Sequence, residues 1–251
     1  MASSDLVPCF VCGKETRTRC PSCSAAGLDT YFCSREHQVL AWPAHSKVCG
    51  PRSIPFSWPP VGEKELAHIK AIAHDEDPLT GESIADAFSR LLPQVPVERL
   101  LTDLARQPSP LPGALYAPLL TSARSAELGH FEAALAKDPS TKPVLPVPIL
   151  RASNLAFNIY TLFTTKPGLW SADPVQAPWW TPLHARLIQF STVHYIMCNA
   201  GEDKKLLEGT EAWFVKVETD LREFLGGPVL KLSKAEVEEA IGDFLQEPTN
   251  V

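Results

Sequence analysis

Apolar residues in the last third of the chain recur at steps of three and four, the spacing that places side chains on one face of an α-helix. One such series begins at Leu183. A second begins at Phe214 and ends before Gly226-Gly227-Pro228, a sequence typical of helix termination. We predict a helix over each series. The inner faces would be Leu183, Leu187, Phe190, Val193 and Met197 in the first helix and Phe214, Val217, Leu221 and Phe224 in the second.

A last helix is predicted after Ser233, because Glu236 follows three residues later and the two have the spacing of a capping box. Strand-like alternation never persists beyond a few residues, so we expect the larger part of the chain to be mostly α-helical. The inner face of the last helix would be Val237, Ile241 and either Phe244 or Leu245. Weaker helical patterns cover residues 63–74, 84–92, 97–106, 125–137 and 150–163.

Proline clusters separate these predicted helices, and the chain has 24 prolines in all. Residues 51–60 contain four prolines, which lack amide hydrogens and disfavour a helical conformation in the residue before each. We therefore predict a proline-rich linker over residues 53–62. It would join a small N-terminal domain, residues 1–52, to an α-helical domain over residues 63–251.

The cysteines are concentrated in the small domain, which holds six of the seven. The first residues carry neither the basic segment nor the apolar segment of a secretory signal, so we expect an intracellular protein, in the nucleus or the cytoplasm. In such a compartment, clustered Cys-x-x-Cys pairs indicate metal binding more than disulfides. Cys198 stands apart on a predicted apolar helix, where we expect it to be a buried thiol.

Charge limits the classes of partner. The net charge is −6, and the excess of acidic residues belongs to the part of the chain after Arg52. Nonspecific nucleic-acid binding requires concentrated Lys and Arg, so we expect protein partners and not nucleic acid. No apolar run approaches the roughly 20 residues that span a bilayer, so no membrane partner is expected. The sequence gives no indication of oligomeric state.

The candidate metal ligands form four regularly spaced pairs. A Cys-x-x-Cys turn and an i, i+4 pair on a helix both bring two ligands to the reach of tetrahedral Zn²⁺. Eight ligands complete two closed sites, so we predict two structural zinc ions per chain. The alternative, reduced buried cysteines, accounts poorly for so regular an array. The pairs are Cys9 with Cys12, Cys20 with Cys23, Cys33 with His37, and His45 with Cys49.

The segment from Tyr31 to Cys49, preceded by two Cys-x-x-Cys pairs, closely resembles the MYND-type zinc finger. The resemblance covers about residues 9–49 and rests most on the spacing of Gln38, Trp42, His45 and Cys49. Two residues depart from the family pattern: His37 replaces the usual cysteine, and Phe32 replaces the usual tyrosine. Imidazole is an ordinary zinc ligand, so the first change preserves the site.

The resemblance implies a cross-brace. The spacing alone also allows sequential pairing, in which Cys9 and Cys12 share a zinc ion with Cys20 and Cys23. In the cross-brace, one zinc ion takes Cys9, Cys12, Cys33 and His37. The other zinc ion takes Cys20, Cys23, His45 and Cys49. The expected fold class is thus a small zinc-stabilised cross-brace finger followed by a mostly α-helical domain of unrecognised family.

The resemblance also implies a binding face for proline-rich peptides of the Pro-x-Leu-x-Pro kind, formed by Ser34, Gln38 and Trp42. An aromatic ring beside an amide suits an extended proline-containing peptide. Two simpler interpretations stay open. Trp42 could pack inside the finger, and Ser34 could cap the helix that it begins.

Catalytic interpretations find less support. The resemblance to SET-type lysine methyltransferases stops at the finger, because no Asn-His pair follows it and only eight residues precede Cys9. Phosphate-binding, metalloprotease and serine-hydrolase motifs are missing as well. His194 with Cys198, and His68 and His74 with the acidic residues 75–77, are weak candidates for a site. Trp179 and Trp180 are expected to anchor a helix in the core.

We therefore expect an adaptor that binds other proteins through its finger and has no enzymatic activity. The family, and not the residues, suggests that it acts in transcriptional regulation. The alternative is an enzymatic or small-molecule-binding helical domain that the finger recruits. A buried polar pocket with convergent carboxylates or histidines within residues 63–246 would favour the alternative.

Overall fold

The computed structural model describes residues 6–50, 58–164, 179–199 and 207–246. Within these ranges the chain forms two short strands and ten helices, in agreement with the predicted fold class. The antiparallel strands are β1 (Val7–Pro8) and β2 (Glu15–Thr16). The helices are α1 (Pro21–Ala25), α2 (Arg35–Val48), α3 (Glu63–Ile72), α4 (Ile84–Leu91), α5 (Val97–Ala105), α6 (Gly113–Lys137), α7 (Val147–Thr164), α8 (Trp180–Asn199), α9 (Thr210–Gly226) and α10 (Lys234–Gln246).

The three C-terminal helices confirm the predictions from periodicity, except that Met197 and Phe224 are only half-buried whereas their neighbours Ile196 and Leu225 lie in the core. At the start of α10 the backbone N–H of Ser233 donates to Glu236 Oε2 at 2.6 Å, and the N–H of Glu236 donates to Ser233 Oγ at 3.3 Å, so the capping box is present. Phe244, 2% exposed, lies in the core, whereas Leu245 is only partly buried. Phe244 is therefore the inner residue of the last turn.

Helix α6 is about twice as long as predicted, because it begins at Gly113 and continues through Pro118. A proline inside a helix removes one backbone hydrogen bond, which suggests a break at the sequence level. Residues 117–129 are nevertheless all buried. A helix buried on every side has no solvent-exposed face, and its polar residues lie in the core, here Thr121, Ser122, Arg124, Ser125 and Glu127. The apolar periodicity that marks a half-buried helix is therefore lost, and burial outweighs the lost hydrogen bond.

The chain divides into two compact units. The first, here the finger unit, comprises residues 1–59 and 178–250, and the second, the middle unit, comprises residues 60–177. The boundary after residue 59 falls within the predicted linker, of which residues 51–57 lie outside the described ranges. Helices α8, α9 and α10 belong with the finger, whereas the prediction grouped them with all other residues after 62. Sequence position alone does not reveal this grouping, because it arises from contacts between distant parts of the chain.

Specific contacts join the finger to the helices of its own unit. Ile196 of α8 is buried in the same apolar cluster as four of the cysteines. The carbonyl oxygen of Phe10 accepts hydrogen bonds from Trp213 Nε1 at 3.0 Å and from Gln189 Nε2 at 3.4 Å. The finger therefore shares its core with α8 and is tied to α9 by a side-chain hydrogen bond.

The middle unit packs α6 against α7 and surrounds them with shorter helices. Its core contains an ion pair between Arg124 of α6 and Glu65 of α3, with Nε and Oε1 2.7 Å apart and both side chains at most 3% exposed. His68, one turn after Glu65, has its Nδ1 3.0 Å from Oε1 of Glu127 on α6, with the imidazole 37% exposed and the carboxylate buried. A row of polar pairs thus joins α3 to α6. No helix among the described residues is long and apolar enough to cross a membrane.

Candidate metal centre

The first cluster joins the turn between β1 and β2 to the start of α2. Cys12 Sγ lies 3.6 Å from Cys33 Sγ, and His37 Nδ1 lies 3.1 Å from Cys33 Sγ and 3.7 Å from Cys9 Sγ. Ligands on a tetrahedral Zn²⁺ are separated by about 3.8 Å for two sulfurs and about 3.6 Å for sulfur and nitrogen. The cluster therefore has the dimensions of a tetrahedral zinc site, and His37 offers Nδ1 to it.

The second cluster joins α1 to the end of α2. His45 Nε2 lies 3.3 Å from Cys20 Sγ and 3.6 Å from Cys23 Sγ. Cys49 Sγ lies 3.6 Å from Cys20 Sγ and 3.7 Å from Cys23 Sγ. The two histidines differ in orientation, since His37 offers Nδ1 and His45 offers Nε2.

The pairing is interleaved. Within each cluster the donor atoms all lie within 4.8 Å of one another, and each cluster takes one Cys-x-x-Cys pair and one pair from α2 or its ends. The cross-brace is therefore confirmed, and sequential pairing is wrong. All eight predicted ligands are used, four in each cluster, so both sites are closed and suit structural zinc.

Local structure explains how α2 serves both sites. Ser34 is the N-cap, and its Oγ accepts the backbone N–H of His37 at 3.3 Å, which begins the helix immediately after Cys33. Cys33 and His37 thus lie one turn apart at the start of α2. His45 and Cys49 lie one turn apart at its end. One helix therefore spans both sites, and the ligand pairs at its two ends hold it in place.

Two of the cluster thiols need a nearby cation in order to ionise. Burial, together with the neighbouring Cys12 and Cys9, raises the pKa of the Cys33 thiol to about 12, and burial together with Cys20 and Cys23 does the same for Cys49. These thiols do not ionise at neutral pH without a positive charge beside them. Zn²⁺ supplies that charge and binds thiolates, so the donor set fits the ion.

Two other ligands already have the protonation state that zinc needs. Burial opposes ionisation of Cys9, but hydrogen bonds from His37 and backbone amides lower the pKa of its thiol to about 6. Burial lowers the pKa of His45 to about 4, which keeps its imidazole neutral at pH 7. The clusters thus fit two zinc ions. When bound, zinc supplies the cross-links that hold the segments of the finger together.

The three residues predicted to bind peptide lie together on one side of the finger. Ser34, Gln38 and Trp42 line a groove of about 510 Å³. Trp42 is 47% exposed, so it does not pack inside the finger. Ser34 does cap α2, and its capping role coexists with a place at the groove.

Sequence reasoning missed several other residues of this groove. Arg35 and Val39 share a face of α2 with Gln38 and Trp42, because residues three, four and seven positions apart lie on one side of a helix. The signal was available in the spacing within α2. The groove also includes Thr18, Arg19, Phe32 and Cys33.

The remaining sequence candidates do not form a further metal site. Among the described residues, the two Cys/His clusters are the groups whose geometry suits a metal ion. His74 instead faces Glu98 at 3.5 Å, and Asp77 accepts the hydroxyl of Thr80 at 2.8 Å within a turn. Asp77 is buried, whereas Asp75 and Glu76 are exposed.

The helical candidates in the finger unit have structural surroundings. His194 is 5% exposed and lies among Phe190, Phe214 and Phe244. Cys198 Sγ is 3.8 Å from His194 Nε2, but the thiol is half-buried and not fully buried as expected. Trp179 and Trp180 are both buried and so anchor the start of α8 as expected.

Comparison with known proteins agrees with the geometry. The sequence model of the MYND finger family matches residues 9–49, the segment that contains all eight ligands. No curated protein and no solved structure matches the chain. The chain therefore carries a MYND finger with two zinc-binding clusters of three cysteines and one histidine each.

Proposed function

We propose that this protein is an adaptor whose finger binds a proline-containing segment of a partner protein. The observation that carries the proposal is the groove in which Ser34, Gln38 and Trp42 lie together. MYND fingers commonly mediate protein–protein interaction, and the resemblance extends to these three positions. The family also suggests transcriptional complexes as the setting of this binding.

The groove has the chemistry that such a segment needs. Val39 and Trp42 are both about half exposed or more and offer an apolar surface on which a proline ring can pack. Gln38 supplies an amide that can donate to or accept from the peptide backbone. A polyproline conformation leaves its carbonyl groups free for such contacts and loses little entropy on binding.

The test is a titration of the zinc-loaded full chain with a peptide that contains Pro-x-Leu-x-Pro. Truncation of a central aromatic contact lowers affinity by about thirtyfold or more, so we expect that loss for Trp42→Ala. Val229→Ala removes an exposed apolar side chain outside the groove and serves as the control. Equal affinity of Trp42→Ala and the parent protein would contradict the proposal, provided that both bind two zinc ions.

A pull-down tests the adaptor role separately. The parent protein, Trp42→Ala and Cys33→Ala are compared as baits, and we expect partners that Trp42→Ala loses. An identical partner list for all three would mean that the finger has only a structural role. An adaptor without enzymatic activity is part of the same proposal.

A second candidate function, small-molecule binding by the middle unit, is favoured by one observation. A cavity of about 80 Å³ is lined by residues that include His68, Glu127 and His130. Glu127 Oε2 and His130 Nε2 are buried and have no hydrogen-bond partner among the described residues. This volume corresponds to two or three water molecules or a ligand of a few heavy atoms.

Ligand-observed NMR with a library of small amides, alcohols and amines tests this candidate. A binder should lose affinity in Glu127→Gln, which keeps the shape of the side chain but removes its charge. Glu63→Gln, on α3, is the control, because Glu63 is exposed and does not line this cavity. A library without binders would mean that the cavity holds only water.

A further inference from the structure

The peptide groove is positively charged at one end. Arg19 and Arg35 both line it, and none of its lining residues is acidic. Arg19 is partly engaged, since it lies 3.4 Å from Asp29 and 5.2 Å from the centre of the Tyr31 ring. Arg35 is exposed, and no described residue forms a hydrogen bond or an ion pair with its guanidinium. The groove therefore presents the Arg35 guanidinium, whose N–H donors are available to a ligand.

The backbone adds to this charge. Arg35 is the first residue of α2, a helix of 14 residues, and the N-terminus of a helix carries a partial positive charge. Glu36 lies beside it but does not line the groove. Cys33 also lines the groove, and three thiolates on Zn²⁺ leave the first cluster with one negative charge against the two arginines. Within the described part of the zinc-loaded groove, the net charge is thus still positive, although the protein as a whole has a net charge of −6.

The geometry of α2 sets the distance between the charged and the apolar parts of the groove. Arg35 and Trp42 are seven residues apart in the helix, which corresponds to about 10 Å along its axis. A peptide in the polyproline conformation advances about 3.1 Å per residue. About three peptide residues therefore span the distance from Trp42 to Arg35.

From this geometry we infer that the partner segment carries an aspartate or a glutamate about three residues from the proline that packs on Trp42. The carboxylate pairs with Arg35 and the proline packs on Trp42 and Val39. Charge complementarity selects such a segment over a neutral one, and the inference rests on the proposed function. Arg–carboxylate pairing at an exposed rim chiefly affects selectivity and the association rate.

The test is a scan of peptides in which a single aspartate is placed at each position within five residues on either side of a Pro-x-Leu-x-Pro core. Affinities for the zinc-loaded full chain are measured by fluorescence anisotropy at low salt and at 0.5 M salt. We expect one position, about three residues from a core proline, to bind about twofold to fivefold tighter than its asparagine counterpart. The gain should shrink at high salt, because exposed ion pairs are screened.

Arg35→Gln should bring the ratio of the affinities for the aspartate and asparagine peptides to about one, and this ratio is the readout whatever the affinity for the asparagine peptide. Lys14→Gln is the matched control, since Lys14 is an exposed base of the finger that does not line the groove. Circular dichroism and a zinc content of two per chain establish that each variant is folded.

The outcomes separate the inference from the proposed function. Equal affinity for aspartate and asparagine peptides, both lost in Trp42→Ala, would overturn the inference and leave the proposed function in place. Affinities that do not depend on Trp42 would overturn both. An Arg35-dependent single-stranded oligonucleotide that outcompetes the best peptide would also overturn the inference, because the basic end of the groove would then recognise phosphate.

Discussion

The finger and the middle unit hold buried polar groups in two different ways. In the finger, cysteine and histidine side chains converge in two clusters whose geometry suits a metal ion and whose buried thiols need a cation in order to ionise. In the middle unit, buried charges neutralise one another directly, as Arg124 and Glu65 do. Metal binding therefore stabilises the buried polar groups of the finger, whereas pairing between side chains of two helices stabilises those of the middle unit. The two regions should respond to different perturbations.

Removal of zinc should have the largest effect. Structural zinc contributes roughly 10 kcal/mol or more per site to small domains of this kind. We expect a chelator to unfold residues 6–50 and to loosen α8, because Ile196 shares the core of the finger. Hydrogen–deuterium exchange should show loss of protection in these segments and retained protection in α6 and α7. Uniform loss of protection across both units would contradict the comparison.

Breaking the buried ion pair should lower the free energy of unfolding of the middle unit by about 3–5 kcal/mol. Arg124→Met leaves the Glu65 carboxylate buried without its partner, and urea unfolding measures the loss. Arg90→Gln is the control, since Arg90 pairs with Glu82 at an exposed position and should cost less than about 1 kcal/mol. A comparable loss in both variants would argue against burial as the cause, and a change in zinc content would argue against two independently stabilised regions.

Loss of a single hydrogen bond within the finger unit should cost less. Trp213→Phe removes the N–H that donates to the carbonyl oxygen of Phe10, and we expect a loss of about 1 kcal/mol. Thermal unfolding of the zinc-loaded protein measures it. The zinc content should stay at two per chain, since neither residue is a ligand. A lower zinc content would show that this contact is needed to assemble the first cluster.

The smallest expected effect is a pH dependence of the middle unit. The hydrogen bond with Glu127 raises the pKa of His68, and burial raises the pKa of Glu127. Both shifts mean that the folded state binds protons more tightly than the unfolded state. The stabilisation that these two groups give the folded state is therefore complete below the ordinary pKa of Glu. It declines as pH rises through the raised pKa values of both groups.

Amide exchange in α3 and α6 measures this effect between pH 4.5 and 8. Glu127→Gln removes the buried carboxyl group, whose pKa burial raises, and also the partner that raises the pKa of His68, so it should flatten the profile of these helices. Glu63→Gln, at an exposed position of α3, is the control and should keep the profile. A profile that is unchanged by Glu127→Gln would contradict the assigned cause.

The finger was predictable from its sequence down to individual ligands. Cys9 with Cys12 and His45 with Cys49 are close in the chain, so their spacing alone indicates that they can share a metal ion. The cross-brace required either the family resemblance or the structure, because either pairing of the four ligand pairs satisfies two tetrahedral sites. The positions of the C-terminal helices were equally accessible, since periodicity and the capping residues Ser233 and Glu236 are local signals.

Other features depended on contacts between distant residues. Helix α6 was predicted too short, because residues 117–129 are buried on every side and their polar members, such as Arg124 and Glu127, lie in the core and interrupt the apolar period. Glu65 and Arg124 pair across 59 residues of sequence, which no local pattern reveals. The grouping of α8, α9 and α10 with the finger arises in the same way, through the contacts of Ile196 and Trp213.

The sequence by itself determined which eight residues can bind zinc and where most of the helices lie, because ligand spacing, periodicity and capping act over a few residues. The tertiary structure decided the pairing of the ligands, the exposure of Trp42 and the presence of Arg19 and Arg35 in the same groove. These properties depend on how separate segments pack, and packing is set by the free energy of the whole unit and not by any one segment.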